Sequence, residues 1–290
     1  MSEQVCEADM GGDGAAGVDT YGYPVETTSN AVLDILEHRS STRAFARDDN
    51  DRPVAVTDEQ RAAVLHAASR APSAGAMMMY SIVSIREQAT LDRLADLCDH
   101  QPMIAKAPWA LIFVVDYAKW IDLFEHVGCF EPEFVERMGK APRRAPGLGD
   151  FAIAAQDAVI AAQNAVVAAE ALGLGSCYIG DIVENAEEVA GLLDLPPYTM
   201  PLSMLIIGTP RKERPAIAHP VVNLVHEEHY RRADAETMDA QVAEMDAMFR
   251  PHAREVGERV IDIYTRKHTS PFMAEMSRSM EWWFKNWLGK

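Results

Sequence analysis

The stretch APSAGAMMMYSIVSI, Ala71 to Ile85, passes from a turn of small residues into an alternating apolar run. Pro72, Ser73 and Gly75 are turn residues; proline presets φ and glycine accepts left-handed backbone. Tyr80–Arg86 then alternates with the two-residue period of a strand. A turn with so little side-chain bulk lets backbone approach a flat object closely, and methionines beside it can adapt to an irregular edge. Met77, Met78 and Met79 also read as core filler at a strand entry, and for at least one of them that reading is preferred.

Upstream of this stretch, Ser29 or Asn30 can cap a short helix bearing Val32, Leu33, Ile35 and Leu36. Thr57, with Gln60 three residues on, forms a capping-box signature for a helix that turns Val64, Leu65 and Ala68 inward and stops before Pro72. Downstream, Gln88–Cys98 is helical and PWALIFVVD, Pro108–Asp116, is a continuous apolar run suited to a strand buried on both faces. Residues 117–149, with GKAPRRAPGLGD at Gly139–Asp150, read as an irregular, mobile surface loop containing Arg143 and Arg144, and such loops often act as lids. Asp150–Leu172 is a long helix of small residues, SCYIGDI a strand and turn, Glu184–Leu193 a helix and Met200–Gly208 the last clear strand. From about Asp234 the chain is helical. Its final helix has Ser270 as cap, Pro271 at the first position, and Phe272, Met276, Met280, Trp283, Phe284 and Trp287 on one face. No internal repeat is present, and this order of elements is α+β or mixed α/β.

The 290 residues carry a formal net charge of −17, which argues against nonspecific nucleic-acid binding and against anionic membranes. Cys6, Cys98, Cys129 and Cys177 form no CxxC or Cys/His ligand pattern, so a reduced cytoplasmic compartment is the simplest expectation. The N-terminus lacks a basic segment followed by an apolar core, and Phe151–Leu174, the nearest approach to a membrane span, is interrupted by Gln156, Asp157, Gln163, Asn164 and Glu170. His226 and His229 lack the companions of a metal site, so no metal is expected.

Two further segments carry chemistry. RSSTRAF, Arg39–Phe45, puts two guanidinium groups and three hydroxyls close together, as a phosphate site requires; a solvated turn is the plain alternative. GLGSCYIGD, Gly173–Asp181, fails the dinucleotide fingerprint because no strand precedes it and Tyr178 stands where the third glycine belongs. Gly180 can instead expose backbone N–H groups to a ligand.

Together these segments resemble the flavin-dependent nitroreductase family. APSAGA, the pair Gln163–Asn164, GLGSCYIG, the GTP at Gly208–Pro210 and HPVVNLVHEEHY at His219–Tyr230 stand in that family's order over roughly residues 29–232. The resemblance implies an α+β fold, a mixed sheet flanked by helices with a C-terminal helical extension. It implies a homodimer with FMN at the subunit interface, NADH or NADPH as co-substrate, and a small electron-poor acceptor such as a nitroaromatic or quinone. Carried over, Arg39, Ser40, Ser41 and Arg43 hold the FMN phosphate and ribityl chain. Pro72, Ser73, Ala74 and Gly75 lie along the flavin ring, and Ile179, Gly180 and Asp181 face its reactive edge. Where the family often carries a basic residue before its closing segment this chain has Ala218–His219, and Arg211, Lys212 and Arg214 a little upstream can supply the phosphate charge instead. Catalytic side chains are not assigned, since the chemistry would lie on the flavin. Ala76 and Met78 depart from the family, which has Asn and commonly Gln there, so two amides for the flavin pyrimidine are missing. A non-catalytic flavin-binding protein and a reductive dehalogenase are alternatives on the same scaffold. The implied organisation is a flexible acidic tail at 1–28, a nitroreductase-like flavin-binding domain at 29–232, and an extension at 233–290 wrapping the core or a partner subunit.

Overall fold

The computed structural model describes residues 30–139, 144–212, 219–252 and 254–289. The tail at 1–28, Arg143 and Arg214 lie outside them. In chain order the helices and strands are α1 (Ala31–His38), α2 (Asp58–Ser69), β1 (Tyr80–Ile85), α3 (Gln88–Leu97), α4 (Pro102–Ala105), β2 (Trp109–Asp116), α5 (Ala118–His126), α6 (Pro132–Met138), α7 (Leu148–Ala171), β3 (Gly175–Ile179), α8 (Ala186–Leu192), β4 (Thr199–Gly208), α9 (Ala235–Phe249), α10 (Glu258–Ile263) and α11 (Pro271–Trp287). Residues 32–212 and 262–289 form one compact unit, and 219–261 belong to another.

The larger unit is built on a sheet of order β1-β2-β4-β3. All three pairings are antiparallel, so among the described residues the sheet is antiparallel and not mixed. The physical reason is strand order: β2 and β3, joined by the helices between them, run the same way, but β4 is inserted between them and runs opposite to both. β2 is buried along its whole length, as its unbroken apolar run foretells. Trp109, Leu111, Phe113 and Val115 join α2 and α7 in one core layer, while Ala110, Ile112 and Val114 join α3, α8 and α11 in a second. Helices therefore cover both faces of the sheet, the α+β arrangement expected.

Local sequence explains most boundaries. Thr57 and Gln60 form the expected capping box, Gln60 N donating to Thr57 Oγ1 at 3.2 Å and Thr57 N to Gln60 Oε1 at 3.1 Å. The bond expected from the Ser270 side chain to its helix is not made; Ser270 Oγ donates to Lys267 O instead. Residues 117–149 are not one irregular loop. α5 and α6 occupy much of the segment, because Trp120, Ile121 and Phe124 repeat at helical spacing, Pro132 opens α6 and Gly139 closes it with φ 58°. α7 has the length and apolarity of a membrane span, yet Ala154, Ala158, Ala161, Ala165 and Ala169 are buried in the protein core. Gly208 has no room for a side chain: a Cβ there would lie 2.7 Å from Pro108 and 2.8 Å from Phe45. That close approach lets Phe45 bridge to Pro210, bringing the Arg39–Phe45 segment against the end of β4.

The stripe on α11 packs on this same unit through Trp283 and Trp287, while Phe272, Met276, Met280 and Phe284 are half-buried. Trp283 and Trp287 are fully buried, Trp283 Nε1 donating to Val183 O at 2.9 Å and Trp287 Nε1 to Gly147 O at 3.1 Å. Phe151 packs edge-on against Phe284 and Trp287. In the unit at 219–261, Asp234 caps α9 through Thr237 N, and Glu244 accepts from Val221 N and Val222 N; α9 itself buries no residue.

Candidate active site

The turn of Pro72–Met79 is held by one carboxylate that the sequence reading treated only as an interruption in an apolar helix. Asp157, buried on α7, accepts from Ser73 Oγ at 2.8 Å, Ala74 N at 3.0 Å and Met79 N at 3.2 Å. Ser73 Oγ also accepts from Met78 N at 2.6 Å, and Trp120 Nε1 of α5 donates to Met77 O at 2.9 Å. These bonds act against strained backbone. Gly75, Ala76 and Met78 have φ of 58°, 56° and 49°, and each non-glycine residue in that region costs roughly 1–2 kcal/mol. Of the three methionines, Met79 is core filler, Met77 packs partly on the core, and Met78 is exposed. The signal for Asp157 in the sequence is a single acid on a helix face otherwise lined by alanine.

The other predicted segments gather at the opposite edge of the sheet. Thr42 N donates to Ser176 O on β3, Ala46 N to Thr209 O, and Arg211 N to Ala44 O. Ser40 is buried and Arg43 exposed. Arg39 keeps its Nε buried with no hydrogen-bond partner among the described residues. Its charge reaches Tyr178, where burial raises the phenol pKa and the guanidinium pulls it back down. Arg43 and Arg211 line a cavity of about 750 Å³ together with Arg47, Lys106 and Asp51. Four cations against one acid, in a chain of net charge −17, make this an anion-seeking pocket. Sequence reasoning missed Arg47 and Lys106, which are distant from each other in the chain and carry no motif.

Ile179 ends β3 and is buried; Gly180 and Asp181 open a short 3₁₀ turn, Asp181 accepting from Gln101 Nε2 at 2.6 Å. Behind that turn sits Glu184, 3% exposed, with Oε1 unpartnered among the described residues. Burial, and then the charges of Asp181, Asp99 and Glu275, push its carboxyl up to about 7. No cluster of three or more metal-binding side chains occurs among the described residues.

The two groups of site residues do not meet within one chain. The turn leads into β1 and the Arg39–Arg43 segment adjoins β3, so three strand spacings, roughly 14 Å, separate them across the sheet. Along the strands, Tyr80 is in line with Val115 and Met200, whereas Ser176 is paired with Ile207, an offset of about 20 Å.

An antiparallel sheet covered by helices on both faces, with a cationic pocket past the end of β4 and a small-residue turn leading into β1, defines an α+β scaffold. Residues 36–209 match the Nitroreductase family, and the chain belongs to that family. It is 31% identical over 215 residues to the FMN reductase [NAD(P)H] of Bacillus subtilis, covering 73% of this chain and 79% of that relative. It is likewise 31% identical over 219 residues to the oxygen-insensitive NADPH nitroreductase of Salmonella typhimurium, covering 73% of this chain and 81% of that one. Among solved structures, the NADPH:FMN oxidoreductase of Vibrio harveyi complexed with NAD+ superposes with a TM-score of 0.64 at 25% identity, over 86% of this chain and 97% of the other.

Proposed function

We propose that this protein is an FMN-dependent oxidoreductase that takes hydride from NADH or NADPH and reduces an electron-poor small molecule, such as a nitroaromatic or a quinone, by a ping-pong sequence. The observation that carries the reading is the anion-seeking cavity past the end of β4, lined by Arg43, Arg47, Lys106 and Arg211, with the buried Arg39 Nε of the same segment left without an acceptor among the described residues. FMN, when bound, supplies the two-electron chemistry. The chain's own residues bind, orient and exclude water. Arg39, Arg43 and Arg211, with the hydroxyls of Ser40 and Ser41, hold the phosphate and ribityl end through charge-assisted hydrogen bonds. Ile179, Gly180 and Asp181 offer backbone to the ring edge. Pro72, Ser73, Ala74 and Gly75 cover the ring plane.

The separation of the two groups of residues favours a homodimer. A two-fold axis brings the turn of one copy to the β3 edge of the other, so that each flavin is held by both subunits. A reduced cytoplasm fits Cys98, Cys129 and Cys177, all free thiols.

The test is spectroscopic and kinetic. Purified protein incubated with FMN is expected to retain a flavin spectrum that bleaches with NADPH or NADH and recovers with menadione or a nitroaromatic. Retained flavin with no turnover from either nicotinamide would mark a binding protein and overturn the enzyme reading.

A further inference from the structure

Resting on the FMN reading above, we propose that Asp157 is a positioning residue for the flavin reaction: it sets the shape of the Pro72–Gly75 turn and places a carboxylate behind the flavin-facing backbone. The turn cannot hold itself. Three residues in the four from Gly75 to Met78 adopt left-handed backbone, and two of them are not glycine. Three donors of the segment, Ser73 Oγ, Ala74 N and Met79 N, converge on the two oxygens of this one side chain. The bonded residues bracket the strained ones, so the carboxylate clamps both ends of the loop that must lie flat.

The chemistry of those contacts calls for Asp specifically. All three partners donate, so the site needs two acceptor oxygens and has no use for a donor. Asn, equal in shape, would turn an NH2 either at Ala74 N or at the pair Ser73 Oγ and Met79 N. A carboxylate among Ala154, Ala158 and Ala161 is costly to bury for packing alone, and it is retained where its full set of donors lies on a ligand-facing turn. Its charge acts from a poorly solvated place, with Lys119 of α5 the nearby cation; Lys119 Nζ donates to Tyr80 O at 2.5 Å. A negative group behind the ring opposes added electron density, so Asp157 lowers the flavin's reduction potential.

The test compares the full chain with Asp157→Asn, Asp157→Glu and Ser73→Ala, each titrated with FMN by fluorescence and poised in a spectroelectrochemical cell. Asp157→Asn is expected to weaken FMN binding at least tenfold and to shift the potential positive. Ser73→Ala, which keeps the charge and removes one bond, should weaken binding severalfold with a smaller potential shift. Asp157→Glu should retain more of the wild-type potential than the Asn variant. A folded Asp157→Asn protein with wild-type FMN affinity and potential would overturn the inference. If that variant does not fold, wild-type FMN affinity in Ser73→Ala overturns it equally. Wild-type protein that fails to take up FMN would instead sink the reading on which the inference rests.

Discussion

Ala76 stands at φ 56°, a backbone that costs alanine and suits asparagine, whose short amide is tolerated there. Ala76→Asn is therefore expected to raise stability by about 0.5–1 kcal/mol in urea unfolding, and to restore one of the amides the chain lacks for the flavin pyrimidine. Glu184 makes the opposite kind of contribution. Burial raises its carboxyl from an ordinary 4.5 to about 7, so the fold favours the neutral acid. That stabilisation is complete below about pH 4.5 and is lost as pH rises through about 7, up to about 3 kcal/mol in all. Thermal melts at pH 5 and pH 8 should show a larger loss in the wild type than in Glu184→Gln; equal losses would show that Glu184 does not carry this dependence. Neither feature was legible in the sequence. A left-handed alanine looks like any alanine, and Glu184 is one acid among many until Asp99, Asp181 and Glu275 are folded around it.

At the scale of elements, α11 shows how a pattern states that a face is buried without saying where. The spacing of Met276, Met280, Trp283, Phe284 and Trp287 required cover, and the cover is α8, the 3₁₀ turn at Gly180–Val183 and Phe151 of α7. Trp283 fills that layer and donates to Val183 O. Trp283→Ala should cost about 3–5 kcal/mol, the range for emptying a large aromatic site, with the loss read as a lower urea midpoint. Because Val183 closes the turn that Gly180 opens, the same variant should bind FMN more weakly. α5 teaches the complementary lesson: its apolar repeat was present in the sequence but stood next to a Pro/Gly-rich run, and the composition of that run dominated the reading of 117–149. In the fold, α5 is no remote lid, since Trp120 holds the carbonyl of Met77 in the site turn.

For the whole molecule the decisive fact is the distance between the two halves of the proposed site. If each flavin is held by two subunits, defects in opposite halves should complement. An Arg39→Ala/Arg43→Ala chain and an Asp157→Asn chain, each poor in FMN binding alone, should after mixing and subunit exchange regain about a quarter of wild-type sites, because half the dimers are mixed and each mixed dimer has one intact site. No recovery in a preparation shown by native mass spectrometry to contain mixed dimers would place each site within one chain. The sequence by itself determined the strands, the buried central run of β2, the capping box at Thr57 and the motifs that mark the family, because these depend on residues near one another in the chain. Tertiary structure alone decided that Asp157 clamps the turn at Ser73, that Arg47 and Lys106 join Arg43 and Arg211 in one pocket, and that the turn leads into one edge strand while Thr42 is bonded to the other. Those relations join residues as many as 168 positions apart, Arg43 to Arg211, and are set by strand order, to which local periodicity is blind.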